Sequence, residues 1–214
     1  MEIEHIEAGP FDSNIYLLTD GKTKLLVDAG SGFNNSTVER QISDKLKGGK
    51  LDGIILTHEH FDHSGGALYL SRKFDAPLYA SPECARALRE GDSNLTGSFL
   101  FGAHMEPILE IIEIGDRLEI GDIAFEVHST PGHAPGLISL ITNKNRALFC
   151  GDLIFCDGGV GRWDLPGGNL ELLRSSIKES LKWEVSSLYP GHGRFEENNP
   201  EREMQLALGM ISSV

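Results

Sequence analysis

Apolar residues along this chain fall mostly into short runs that stop at Gly, Asp or His, separated by stretches with helical spacing. Runs at residues 3–6, 15–19 and 23–28 lie close together and read as strands joined by turns. Helical spacing over 36–47 precedes Ile54-Ile55-Leu56, a short apolar run just after Gly53 that reads as a buried strand. Helices are predicted at 65–74 and 82–90, then strands at 108–114, 123–129, 137–142 and 146–150, with a tight turn at Asn143-Lys144-Asn145. A helix over 169–181, a strand through Ser187-Leu188-Tyr189 and a short helix from Pro200 to about Met210 complete the series. Strands outnumber the helices that could cross between them, so the pattern predicts an α/β fold of mixed sheets covered by helices.

Length and composition narrow this picture. A chain of 214 residues buries a large core, and one compact domain over 1–214 is expected. Residues 91–107 lack periodicity and read as a loop, whose Leu95, Phe99, Leu100, Phe101 and Met105 either line a substrate cleft or pack against the domain or a second copy. A homo-oligomer therefore stays open. The formal charge of −13 argues against a nucleic-acid surface, since phosphate binding draws on clustered Lys and Arg. Glu106, Glu110, Glu113, Asp116 and Glu119 read as a solvated face. Cys84, Cys150 and Cys156 form no C-x-x-C pair and leave an odd count, as expected of reduced thiols in an intracellular protein. No apolar run reaches membrane-span length and residues 1–10 lack a signal-peptide pattern, so a cytoplasmic location without membrane contact is expected.

The chemistry is concentrated just after the buried strand, in Thr57-His58-Glu59-His60-Phe61-Asp62-His63-Ser64-Gly65-Gly66. If the strand persists, alternation puts His58 and His60 on one side and Glu59 on the other, beneath the site or at the surface. Asp62 and His63 would then open a helix running through Ala67, Leu68 and Leu70. So many polar side chains need partners once desolvated, and a bound cation supplies one to all of them. Three later strands end in the same way. His133 follows Pro131-Gly132, Asp152 follows Gly151, and His192 lies between Gly191 and Gly193. Gly and Pro at such places let the backbone turn sharply and approach an ion. Imidazoles and carboxylates suit Zn²⁺, Fe²⁺ or Mn²⁺. His5 and His128, on strands, read as structural groups.

The series His58, His60, Asp62, His63, His133, Asp152 and His192 resembles the metallo-β-lactamase-fold hydrolases, and Leu25-Leu26-Val27-Asp28-Ala29-Gly30 resembles that family's first motif. The resemblance implies an αββα sandwich with the site at the edge between the sheets. Asp12-Ser13-Asn14-Ile15-Tyr16-Leu17-Leu18, Gly151-Asp152-Leu153-Ile154-Phe155, Gly161-Arg162-Trp163-Asp164-Leu165-Pro166-Gly167-Gly168 and Tyr189-Pro190-Gly191-His192-Gly193 are similar to the glyoxalase II, or hydroxyacylglutathione hydrolase, branch.

The family's arrangement implies a first ion on His58, His60 and His133, a second on Asp62, His63 and His192, and Asp152 bridging them. Asp28 would lie below the site and orient a ligand imidazole. Two divalent ions, Zn²⁺ before Fe²⁺ or Mn²⁺, would hold a bridging hydroxide that attacks a small thioester, with Asp62 orienting it. Only residues 193–214 follow the last ligand, so the helical extension that holds glutathione in full-length members is not expected. Arg162 or the loop near His104 would contact an acidic acyl carrier instead. Two alternatives share the fold: a lactone or ester hydrolase, and a mononuclear iron persulfide dioxygenase using His58, His133 and Asp152. Loss of a ligand would favour a metal-stabilised binding module instead, and none is missing.

Overall fold

The structure, a computed structural model, describes residues 1–213. Six strands form one sheet in the order β1 (Glu2–Ile6), β2 (Ile15–Asp20), β3 (Thr23–Val27), β4 (Gly53–Ile55), β5 (Leu78–Ala80) and β6 (Ile111–Glu113). The first three are antiparallel and the rest join in parallel. The second sheet contains β7 (Arg117–Ile120), β8 (Ile123–Ser129), β9 (Ile138–Thr142), β10 (Ala147–Gly151) and β11 (Ser187–Pro190). It is antiparallel except for the β10–β11 pair. Both sheets are thus mixed.

Strand alternation sorts the core into layers. Tyr16, Leu18, Leu25, Val27 and Ile55 face the second sheet and meet Phe125, Val127, Leu140 and Phe149. Their neighbours Leu17, Leu26 and Ile54 face outward, against Val38 and Ile42 of α1 (Asn35–Leu46), Ala67 and Leu70 of α3 (Ala67–Phe74), and Leu88 of α4 (Pro82–Glu90). The outer face of the second sheet puts Ile141 and Leu148 against Leu173 and Ile177 of α5 (Leu170–Ser180) and Met204, Ala207 and Ile211 of α6 (Pro200–Ser212). The result is the expected αββα sandwich.

Four local expectations change. The helix expected from Asp62 to Leu70 is broken into α2 (Phe61–Ser64) and α3, because Gly65 and Gly66 pass too close to other backbone. A Cβ at Gly65 would overlap the Ser31 carbonyl, and Gly66 N–H donates to Gly30 O at 2.9 Å. The strand expected over 108–114 contracts to β6. Strands β5 and β7 had not been foreseen, the second within the acidic series. Residues 91–107 form a loop as expected, with a 3-10 turn at Ser98–Phe101. Among the described residues no helix is long and apolar enough to cross a membrane.

Candidate metal centre

Every candidate ligand follows the C-terminal end of a strand. The chain leaves β4 at Ile55, so His58 and His60 are placed by a turn rather than by strand alternation. Leu56 N–H still donates to Tyr79 O at 2.8 Å, and Ile138 N–H takes up the Thr57 carbonyl at 2.9 Å. His60 then caps α2, its carbonyl receiving the N–H groups of His63 and Ser64 at 3.0 and 2.9 Å. This one-turn helix carries Asp62 and His63. The turns after β8, β10 and β11 bring in His133, Asp152 and His192. Gly191 is required by close approach, because a Cβ there would overlap the Asp152 carboxylate.

His58, His60 and His133 form one ligand group and Asp62, His63 and His192 another, while His58, His63 and Asp152 form a third that shares a residue with each; in every group the donor atoms lie within 4.8 Å of one another. His60 Nδ1 lies 2.7 Å from His133 Nε2, and His63 Nε2 lies 3.3 Å from His192 Nε2. Asp152 stands between the groups: Oδ1 is 3.2 Å from His63 Nε2, while Oδ2 is 3.4 Å from His133 Nε2 and 3.6 Å from His192 Nε2. Asp62 Oδ2 is 3.1 Å from His192 Nε2.

These residues fit divalent metal. His58 Nε2 is buried with no hydrogen-bond partner among the described residues, a costly state for a polar atom that a cation relieves. Burial and the neighbouring imidazoles hold His58 well below its usual pKa and His60 at about 3, so both present lone pairs rather than charges. Burial likewise lowers His133. In the second group burial opposes charge on His63, yet Asp152 and Asp28 raise its pKa well above normal. Carboxylates that favour a proton there equally favour a cation.

Supporting contacts orient the rings. Asp28 Oδ2 accepts from His63 Nδ1 at 2.8 Å, leaving Nε2 for the site, and Asp28 Oδ1 accepts from Thr57 N–H at 2.8 Å. His133 Nδ1–H donates to the Arg162 carbonyl at 2.7 Å. Thr57 Oγ1 lies 3.1 Å from His58 Nδ1.

Residues 8–192 match the Metallo-beta-lactamase superfamily. The chain belongs to this superfamily. A probable metallo-hydrolase of Methanocaldococcus jannaschii is 39% identical over 189 residues, covering 86% of this chain and 88% of that one. Hydroxyacylglutathione hydrolase GloC of Haemophilus influenzae is 32% identical over 185 residues, 85% and 84% of the two chains. Among solved structures, the BLEG-1 B3 metallo-beta-lactamase superposes with a TM-score of 0.80 at 30% identity, covering 98% of this chain and 96% of its own. TTHA1623 in a di-iron-bound form gives 0.76 at 28%, covering 97% and 96%. Membership and the His/Asp cluster together make this a metal-binding protein of a metallo-hydrolase family.

Within this superfamily site, the other residues singled out from sequence fall at varied distances from the ligands. Arg162 meets the site through its carbonyl, while its exposed guanidinium pairs with Asp164 at 2.8 and 2.9 Å. His104 lines a separate cavity of about 610 Å³ with Phe33, Phe61 and Tyr69, and no candidate ligand faces that space. His5 packs near Tyr16, and His128 stacks on Trp183 at 4.3 Å.

Glu59 is not at the surface. It is wholly buried, both carboxylate oxygens lie 3.2 Å from Gly136 N, and burial pushes its pKa up to about 7. Thr57 and Asn14 were missed as supports. Asn14 N–H donates to Gly191 O at 2.7 Å, and its amide donates to the carbonyls of Pro190 and Gly193, tying down the His192 turn. The polar run before Ile15 signalled that segment without naming its partner.

Proposed function

We propose that the chain is a binuclear metal-dependent hydrolase acting on a small thioester. The observation that carries this reading is the position of Asp152, whose Oδ1 lies beside His63 and whose Oδ2 lies beside both His133 and His192, between the two outer ligand groups. His58, His60 and His133 would hold one ion, Asp62, His63 and His192 the other, with Asp152 reaching both. Two divalent ions, Zn²⁺ first among the candidates, supply Lewis acidity when bound: they lower the pKa of water to about 7 and polarise a carbonyl.

The remaining work falls to this chain. Asp28, Thr57 and the Arg162 carbonyl hold the imidazoles in the tautomers that turn Nε2 inward. Asp62 keeps part of its side chain open to solvent beside His192, where its carboxylate accepts a hydrogen bond from the attacking water and aims it. The Arg162 guanidinium, paired with Asp164, would exchange that carboxylate for an acidic group on the acyl carrier. A thioester is favoured among acyl bonds by similarity to a hydroxyacylglutathione hydrolase. A binuclear hydrolase would use Asp62, His63 and His192 as ligands, whereas a dioxygenase would retain them but need only His58, His133 and Asp152.

The test combines metal analysis with turnover of S-lactoylglutathione, an acyl-homoserine lactone and a β-lactam, and oxygen uptake with glutathione persulfide. Two ions per chain and thioester cleavage are expected, with Asp62→Ala slower by about 100-fold or more. One iron per chain, oxygen uptake and untouched thioesters would sink the hydrolase reading.

A further inference from the structure

Glu59 presents a problem that the ligand chemistry does not solve. It lies between His58 and His60 and is fully buried, yet among the described residues no Lys or Arg forms an ion pair with it, Arg86 acting on it only from a distance. An apolar side chain of similar size would fill this place without the desolvation cost of a carboxyl group. Besides its own backbone N–H, its carboxyl meets the N–H of Gly136, shared by both oxygens.

Gly136 closes the turn that delivers His133. Thr130 N–H donates to Leu137 O at 2.9 Å across the base of this turn, and Gly136 is gripped from both sides. Its N–H goes to Glu59, and its carbonyl accepts from Ser81 Oγ at 2.7 Å, at the start of α4. The residue must be Gly, because a Cβ would overlap the Glu59 carboxylate and come within 2.5 Å of Cys84 N. Carboxylate and turn therefore fit one another across 77 residues of sequence.

We infer that Glu59 is a positioning residue: it sets the His133 turn at the distance from His58 and His60 that completes the three-imidazole group. The inference rests on the metal reading proposed above and adds the means by which the first motif and the His133 turn are held in register. Among the described residues Glu59 hydrogen-bonds to no ligand imidazole, and it needs no contact with substrate. Its effect should appear in the affinity and coordination geometry of one ion, while the Asp62, His63 and His192 group keeps its own supports in Asp28 and Asn14.

The experiment compares wild type, Glu59→Met and Glu59→Gln as full chains by competition against a chromophoric chelator, with the visible spectrum of Co²⁺-loaded protein as the report on geometry. Thermal unfolding of each metal-free form is measured alongside. Glu59→Met fills the volume but accepts nothing, and should weaken one of the two ions by about 10- to 100-fold and alter the cobalt spectrum. Glu59→Gln retains an oxygen for Gly136 N–H and should restore most of both. Ser81→Ala loosens the same turn from its other side and should weaken the same ion by a smaller factor, giving the readout even if Glu59→Met does not fold. Wild-type affinity in Glu59→Met, or in Ser81→Ala if that variant alone is folded, overturns the inference. So does an equal loss in Met and Gln variants that tracks only a lower unfolding temperature. Wild type that binds no divalent ion removes the metal reading itself, whereas two ions held equally by every variant remove only the role of Glu59.

Discussion

Asp28, at the end of β3, adopts φ 63°, a left-handed conformation that costs a residue with a Cβ roughly 1 kcal/mol or more. It is held there because its carboxylate meets the Thr57 backbone, the Thr57 hydroxyl and His63 at once. Asp is among the residues that tolerate this conformation, and it also supplies the acceptor. The three thiols have no comparable role. Burial pushes Cys150 up to about 12, Cys156 up to about 11 and Cys84 well above the usual thiol value. A thiol stays protonated below its pKa, so at pH 8 the thiolate fraction of Cys156 is about one in a thousand. Disulfide-exchange labelling at pH 8 should therefore run roughly a hundredfold slower in the folded protein than in denaturant, and speed up as pH rises. A thiol that labels equally fast in both states would contradict its burial.

Helix α6 is tied to neighbouring turns through one buried carboxylate. Glu203 accepts from Arg194 at 3.1 Å, from Arg202 at 3.0 Å and from Asp157 N–H at 2.5 Å, joining α6 to the turns that follow His192 and Asp152. Both arginines remain partly in water, which screens their share. Glu203→Ala should cost about 1–3 kcal/mol, read from the midpoint of urea unfolding. An unchanged midpoint would mean that α6 docks by its apolar face alone.

Elements with their own periodicity, such as β2, β3, β8 and α4, were legible in sequence. Leu78–Ala80 was not, because three residues carry too little pattern and β5 is defined by its partners β4 and β6. In β7 only Leu118 turns a buried side inward among charged neighbours. The candidate ligands were legible for the opposite reason: each sits beside a Gly, Pro or strand end that marks a turn. Glu59 and Asn14 were opaque because their partners lie 77 and up to 179 residues away.

Across the whole molecule, His58, His60, Asp62 and His63 come from the first sheet, while His133, Asp152 and His192 come from the second. Either ion would therefore cross-link the two sheets at one edge. An ion at 100 times its dissociation constant stabilises a fold by about 2.7 kcal/mol, which for a chain of this size is about 5–10 °C in Tm. Stripping metal with a chelator should lower Tm by at least this much, and restoring Zn²⁺ should recover it. Equal melting curves with and without chelator would show that neither ion bridges the sheets.

The same distribution of ligands sets an order of completion during synthesis. His58, His60 and His133 have all been made once the chain has grown to residue 133, but the Asp62 and His63 pair waits for His192. The first group takes its shape only once Gly136, Leu137 and the Arg162 carbonyl, which hold the His133 turn, have followed. The other comes into being only when the last strand docks, so it can select its ion only in a nearly finished molecule.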